Sequence, residues 1–328
     1  MALDRRVRLL GAGLRQVTGP VATMPESKRR ALRRQKAPRH LTNLVNGRRV
    51  PSVTITDVTI RRASGSLHTR VYRPPGSRSA ELPVVVAFHG GGWMFGNLDT
   101  AEWLYSEVAA RVPAVVVAGT YRLAPEHPAP AALNDAFATT SWAAETAAEL
   151  GGSPERVAVM GESSGATLAA SVALMARDSG AFPLRFQALI YPITDLTLSS
   201  PSVEDMSKEP VLSSSDLRAY VDAYLGPDGC PTDSYVSPLL AADHRGLPPA
   251  LVIGADHDPL RDDARRYANQ LRACGVPVRA VEMSNSPHGF FSFPHLCHAS
   301  GPALTVLVDE FRRTLGAAPR AGSCPGQG

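Results

Sequence analysis

Ser163 stands with a glycine two residues away on either side, in Gly161-Glu162-Ser163-Ser164-Gly165. That spacing is how a chain writes a nucleophile elbow, a sharp strand-to-helix turn that lifts one hydroxyl clear of the sheet. A serine hydroxyl is a poor nucleophile near neutral pH, so it needs a base of pKa about 7 and a carboxylate to orient that base. Both residue types follow downstream: Asp258 in Ala255-Asp256-His257-Asp258-Pro259-Leu260, and His288 in Ser286-Pro287-His288-Gly289-Phe290. The order Ser, Asp, His along the chain is one of the orders in which such a triad is assembled. A second signal is His89-Gly90-Gly91-Gly92-Trp93. Consecutive glycines let backbone N–H groups turn toward an acyl oxygen, and such donors stabilise the charge of a tetrahedral intermediate. The N–H of Ser164, one residue past the nucleophile, is suited to join them.

Each of these residues has a rival. Ser164 competes with Ser163, but its glycines lie three before and one after, which is the wrong spacing. Asp256 sits two residues from Asp258, and spacing alone does not separate the two carboxylates. Asp258 also precedes Pro259 at the start of a helical stretch, where an aspartate serves equally well as a cap. His295 and His298 compete with His288, and with Cys297 they could be imagined as a metal cluster. A metal site needs convergent ligands in defined geometry, and this grouping brings no matching carboxylate pattern. The glycine loop lacks the Gly-Lys-Ser/Thr ending of a P-loop, and no Gly-x-Gly-x-x-Gly appears. No metal and no cofactor are therefore expected, and His89 is expected to order the glycine loop by hydrogen bonding.

These side chains need a scaffold that brings distant loops to one rim. Arg156–Met160 reads as a buried strand and Ala166–Ala176 as a small-residue helix, which places the serine on the required turn. Continuous apolar runs at 83–89, 114–119, 186–191, 250–254 and 278–283, separated by helical stretches, predict parallel strands covered on both faces. Two alternating segments, 53–60 and 67–73, read as a hairpin through Ala63-Ser64-Gly65. The expected fold class is α/β, a mostly parallel wound sheet with antiparallel strands at its start. Residues 1–50 precede this sheet, and 194–243 separate two strands by more than an ordinary connection, with a helix predicted over 215–225. Both are assigned to a helical cap above the site. Residues 51–315 form the catalytic domain, and 316–328, rich in Gly, Pro, Ala and Ser, are expected to fray.

The chain has 328 residues, 44% of them hydrophobic, enough for a full core. No run approaches the ~18 apolar residues of a membrane span. The basic N-terminus is interrupted by glycines and Arg15 and has no convincing cleavage site, so a cytoplasmic address is expected. Net charge is +4, yet residues 1–50 hold thirteen Lys or Arg against two acids, leaving the remainder at −7. The cluster from Lys28 to Arg39 contains no aromatic residue and accompanies no nucleic-acid motif, so a solvated helix face is the reading and no nucleic-acid partner is expected. Cys230, Cys274, Cys297 and Cys324 match neither a zinc site nor a disulfide framework and are read as reduced thiols.

Taken together, HGGGW at 89–93, YRLAPEHPAPAALND at 121–135, GESSG at 161–165, DPLRDD at 258–263 and HGF at 288–290 resemble the hormone-sensitive lipase family of α/β-hydrolases, the bacterial carboxylesterases. The resemblance runs from about residue 50 to 315. It implies Ser163 as nucleophile, Asp258 rather than Asp256 as orienting acid, and His288 as base. It further implies Gly91, Gly92 and Ser164 as oxyanion donors, with Gly90 as a further candidate. The implied activity is hydrolysis of carboxylic esters of short to medium acyl chain, on a small-molecule ester or acylated substrate. It also brings the expectation of a homodimer, because related enzymes are often dimers. The elbow departs from the family's commonest form, Gly-Asp-Ser-Ala-Gly-Gly, at Glu162, Ser164 and Ala166. A dedicated deacetylase or acyltransferase, or a non-catalytic receptor on the same fold, are the alternatives. Trp93 and Phe95 are the candidates for the substrate pocket, with Met206, Val211, Leu212 and Tyr220 as apolar residues of the cap.

Overall fold

A computed structural model of the chain describes residues 3, 5–34, 43, 45–63, 65–76 and 81–316. Ser64, Cys324, the basic run beyond Arg34 and all of the terminal segment except Gly316 lie outside the described residues. Eight strands make one sheet in the order β1-β2-β4-β3-β5-β6-β7-β8. They are β1 (Thr54–Arg62), β2 (Gly65–Arg73), β3 (Leu82–Phe88), β4 (Val115–Gly119), β5 (Gly152–Glu162), β6 (Phe186–Ile190), β7 (Ala250–His257) and β8 (Val278–Pro287). β2 runs antiparallel to β1 and β4, and the pairs from β4 through β8 are parallel.

The continuous apolar runs are strands because the sheet is covered twice. Side chains alternate across a strand: Val84, Val86 and Phe88 enter one core and Val85 and Ala87 the other, as do Val115 and Val117 against Val116 and Ala118. The first core receives α4 (Ala131–Glu145), α5 (Ser164–Ser179) and α8 (Arg261–Ala273). The second receives α3 (Glu102–Arg111) and α9 (Ser300–Leu315). α5 is built almost wholly from small and apolar residues, and twelve of its sixteen are buried, so it packs tightly behind the elbow.

Three boundaries differ from the sequence expectation for physical reasons. β5 begins at Gly152 rather than Arg156, because Leu82 pairs with Gly152 before the register shifts to Val84 and Val157, which leaves the polar stretch Ser153-Pro154-Glu155 inside the strand between the two paired positions. β7 and β8 both run past their apolar cores, to His257 and Pro287, as each supplies hydrogen bonds to the other at the edge of the sheet. β8 is polar because it is the edge, and most of its residues are exposed or half-buried.

Two segments lie against the rim where the parallel strands end. One is N-terminal, with α1 (Arg5–Thr18) and α2 (Glu26–Arg34). The other follows β6 and contains α6 (Ser202–Asp205) and α7 (Ser214–Leu225), the latter capped by the Ser213 hydroxyl accepting from Asp216 N–H. The two segments join where Val21 N–H donates to Asp216 Oδ1 at 2.7 Å. At Gly11 a Cβ would lie 2.6 Å from Pro210 Cβ, so α1 packs closely on the second segment. Among the described residues no helix is long and apolar enough to cross a membrane.

Candidate active site

Ser163 occupies the turn between β5 and α5 with φ +54° and ψ −122°, outside the regions open to ordinary L-residues. Such a backbone costs about 1–3 kcal/mol and persists only where its surroundings dictate it. They do so here through the close approach of three backbones. A Cβ at Gly161 would sit 2.1 Å from the Gly165 carbonyl oxygen, and a Cβ at Gly165 would sit 2.1 Å from that of Phe88. The Ser163 N–H donates to Ile190 O of β6 at 2.9 Å, fixing the turn from its other side.

The imidazole of His288 meets this hydroxyl. His288 follows β8, and its Nε2 lies 2.8 Å from Ser163 Oγ. Its Nδ1 lies 2.8 Å from Oδ2 of Asp258, which follows β7 and is fully buried. The other oxygen of Asp258, Oδ1, accepts from Leu260 N–H at 2.8 Å, so the carboxylate also holds the turn that leads into α8, whose N-cap is Leu260 and carries no side-chain cap bond. Asp256 is engaged elsewhere: its oxygens accept the N–H groups of Asn285 and Ser286, each at 2.9 Å. The structure thus brings Ser163, His288 and Asp258 together and leaves Asp256 out. His295 and His298 lie beyond the short 3-10 turn Phe290–Ser292 that follows His288, and among the described residues no group of three or more His, Cys, Asp or Glu side chains could hold a metal ion.

The glycine loop approaches the same hydroxyl. Gly90 is so close to the elbow that a Cβ there would lie 3.3 Å from Ser163 Cβ. Gly91 and Gly92 hold φ of +125° and +59°. Among the described residues, the backbone N–H groups of Gly91, Gly92 and Ser164 have no backbone acceptor. His89 secures the loop from beneath: it is buried, its Nδ1 lies 2.8 Å from Gly90 O, and its ring stacks on Tyr121 at 4.5 Å. Burial pushes the His89 pKa down to about 4, so this ring is neutral and its Nδ1–H donates to Gly90 O. Tyr121 O–H donates to the His89 carbonyl at 2.8 Å.

Above these groups opens a cavity of about 330 Å³. Gly90, Gly91, Gly92, Ser163, Ser164 and His288 form its floor, and Val21, Pro210, Val211, Leu212, Leu217 and Tyr220 contribute apolar wall. Phe95 lines it and meets Tyr220 edge to face at 6.2 Å. Trp93 touches the same cavity, but the residue is only 1% exposed and its ring is stacked on Tyr224 at 4.1 Å, so its bulk packs into the core. Met206 is absent from the lining.

Two contacts escape a reading by motif. Tyr191, at the end of β6, sets its ring edge against His288 at 4.9 Å and donates its O–H to Glu162 Oε2 at 3.0 Å. The aromatic closing the run FQALIY was the available signal, since it falls at the same rim as the elbow. Glu162 is buried beside Ser163, and its Oε1 has no hydrogen-bond partner among the described residues. Burial raises its pKa from the ordinary 4.5 to about 7, while the Tyr191 O–H and the neighbouring His288 act in the opposite direction.

Residues 85–292 match the protein family described as the alpha/beta hydrolase fold. Carboxylesterase NlhH of Mycobacterium tuberculosis is 41% identical over 302 residues, covering 89% of this chain and 91% of its own length. The ethyl acetate hydrolase of Pseudomonas putida is 32% identical and spans 83% of this chain and 86% of its own. The crystal structure of a thermostable esterase from Pseudomonas putida ECU1011 superposes with a TM-score of 0.86 at 31% identity, covering 97% of this chain and 99% of that one.

Proposed function

The chain belongs to the α/β-hydrolase family, and on that premise we propose that this carboxylic ester hydrolase works through an acyl-Ser163 intermediate, in the manner of the hormone-sensitive lipase branch. His288 Nδ1–H donates to Asp258, which leaves the Nε2 lone pair facing the Ser163 hydroxyl. As Oγ bonds to the acyl carbon, its proton passes to Nε2, and Asp258 stabilises the resulting imidazolium. The carbonyl oxygen, now an oxyanion, takes hydrogen bonds from the N–H groups of Gly91, Gly92 and Ser164, with Gly90 beside them. Collapse of the intermediate breaks the bond to the alcohol oxygen, which leaves with the proton from Nε2. Water then enters, and its oxygen bonds to the acyl carbon as its proton passes to the same nitrogen; collapse of this second intermediate breaks the acyl–Oγ bond, Oγ takes the proton back from Nε2, and the acid is released.

The observation that carries this reading is the pair of 2.8 Å contacts through His288, to Ser163 on one side and Asp258 on the other. The relatives' names supply the substrate class, and the cavity supplies the size. At about 330 Å³ with apolar walls it suits a small ester of short to medium acyl chain. The segments before β1 and between β6 and β7 serve as the cap that roofs it.

Replacing Ser163 by Ala removes the attacking oxygen and leaves the fold. Purified S163A, checked for native circular dichroism, is expected to lose turnover of a short-chain 4-nitrophenyl ester and stoichiometric labelling by an organophosphonate. Turnover retained by the folded variant would refute the assignment. Product analysis with a competing alcohol present separates hydrolysis from acyl transfer.

A further inference from the structure

The basic helix α2 has no place in the chemistry described so far, and none of its residues is buried. One of its side chains nevertheless reaches inward. Arg33 Nε donates to Met94 O at 2.7 Å, Nη2 donates to Ala124 O, and Nη1 donates to Glu126 Oε2 at 2.8 Å. The first two acceptors are carbonyls at the end of the glycine loop and of the segment braced against it. Ala124 N–H donates to Trp93 O at 2.9 Å, and the N–H groups of Met94 and Phe95 both donate to Gly91 O, at 3.1 and 2.9 Å. The guanidinium therefore spans the seam between the two strands of loop, one hydrogen-bonded step from Gly91.

We propose that Arg33 is a positioning residue for the oxyanion loop, holding the Gly91 and Gly92 amides at the angle the tetrahedral intermediate needs. The proposal rests on the acyl-Ser163 reading above. A planar fork suits the task, because two parallel donors fix two carbonyls in relative position, whereas a lysine ammonium reaches one as a point charge. The blander account is an exposed ion pair with Glu126, which Arg29 and Arg30 also approach at 3.7 and 3.9 Å. Exposed pairs contribute little, and that account assigns no importance to the carbonyls.

Four variants separate the two. R33A and R33K remove the fork, E126Q removes the ion pair and keeps the fork, and R30A removes a charge from the same helix. With a 4-nitrophenyl ester, R33A is expected to lower kcat by roughly tenfold to a hundredfold, short of or near the loss of a whole oxyanion donor, with KM within about twofold. R33K should recover less than half of the loss, and added methylguanidinium should raise kcat of R33A. E126Q and R30A should stay near wild type. Unchanged kcat in R33A, equal losses in R33A and E126Q, or a loss confined to KM would each overturn the proposal. Organophosphonate labelling of wild-type Ser163 tests the underlying reading by itself, so a failure of one is not mistaken for a failure of the other.

Discussion

Replacing Glu162 by Gln is expected to change how the protein's stability responds to pH. Burial raises this carboxyl from 4.5 to about 7 in the fold. Between those values the unfolded chain has released the proton and the folded chain still holds it, so stability falls as pH rises through the window and levels off above it. Each pH decade is worth about 1.4 kcal/mol, and the part of the window between about pH 5 and pH 8 comes to ~2–3 kcal/mol. Gln cannot titrate. Its amide keeps an oxygen for the Tyr191 O–H, and any cost of its unpaired N–H₂ is the same at every pH. The measurement is urea unfolding of wild type and E162Q at about pH 5 and pH 8, with equal m-values as the condition for comparing midpoints. E162Q should gain on wild type by ~2–3 kcal/mol across that interval. A difference between the two proteins that stays flat would refute the reasoning, and with it the account of Glu162 as a carboxyl kept protonated by burial beside the elbow.

The two aspartates after β7 should separate kinetically: D258N is expected to cut kcat by roughly 10³–10⁴-fold by losing the tautomer control of His288. D256N, which loses one of two accepted backbone N–H bonds, should lower the unfolding midpoint while kcat stays within about tenfold. G92A should be nearly inactive, because its Cβ would lie 2.2 Å from the Tyr220 ring at a φ of +59°. G92A/Y220A should recover at least about tenfold of that activity, less the ~1 kcal/mol that alanine pays for this backbone; a double variant no better than G92A would show that the steric argument is wrong.

What could be read from the sequence was what is local. A nucleophile elbow is five consecutive residues whose glycines exist because Gly165 lies against Phe88 O and Gly161 against Gly165 O. The glycine loop, Asp256 and Asp258 could be placed because each follows an apolar run that announces a strand; choosing Asp258 over Asp256 took the family resemblance, and His288 follows an edge strand of mixed character. Ladder ends were less legible, since Ser153-Pro154-Glu155 and Ser284-Asn285-Ser286 fall in register shifts and belong to their strands because the residues flanking them are paired, not through their own character. Trp93 was placed at the pocket by its position beside three glycines, and it does line the cavity. What could not be read is that its ring also stacks on Tyr224, more than a hundred positions away, so that most of it is buried. Arg33 was one cation in a run of cations, and nothing in that run singles out the side chain that reaches two carbonyls.

The hydrogen bonds from Asn285 and Ser286 to Asp256 tie the tip of β8 to the tip of β7. The two tips carry His288 and Asp258. The proposed proton acceptor and its counter-charge are thereby fastened to each other independently of the serine. Displacing the roof or loosening the glycine loop can spoil catalysis while this pair travels intact, so damage at the rim should come apart in modules: a slack anion cradle or an ill-fitting pocket, with the imidazole still correctly loaded.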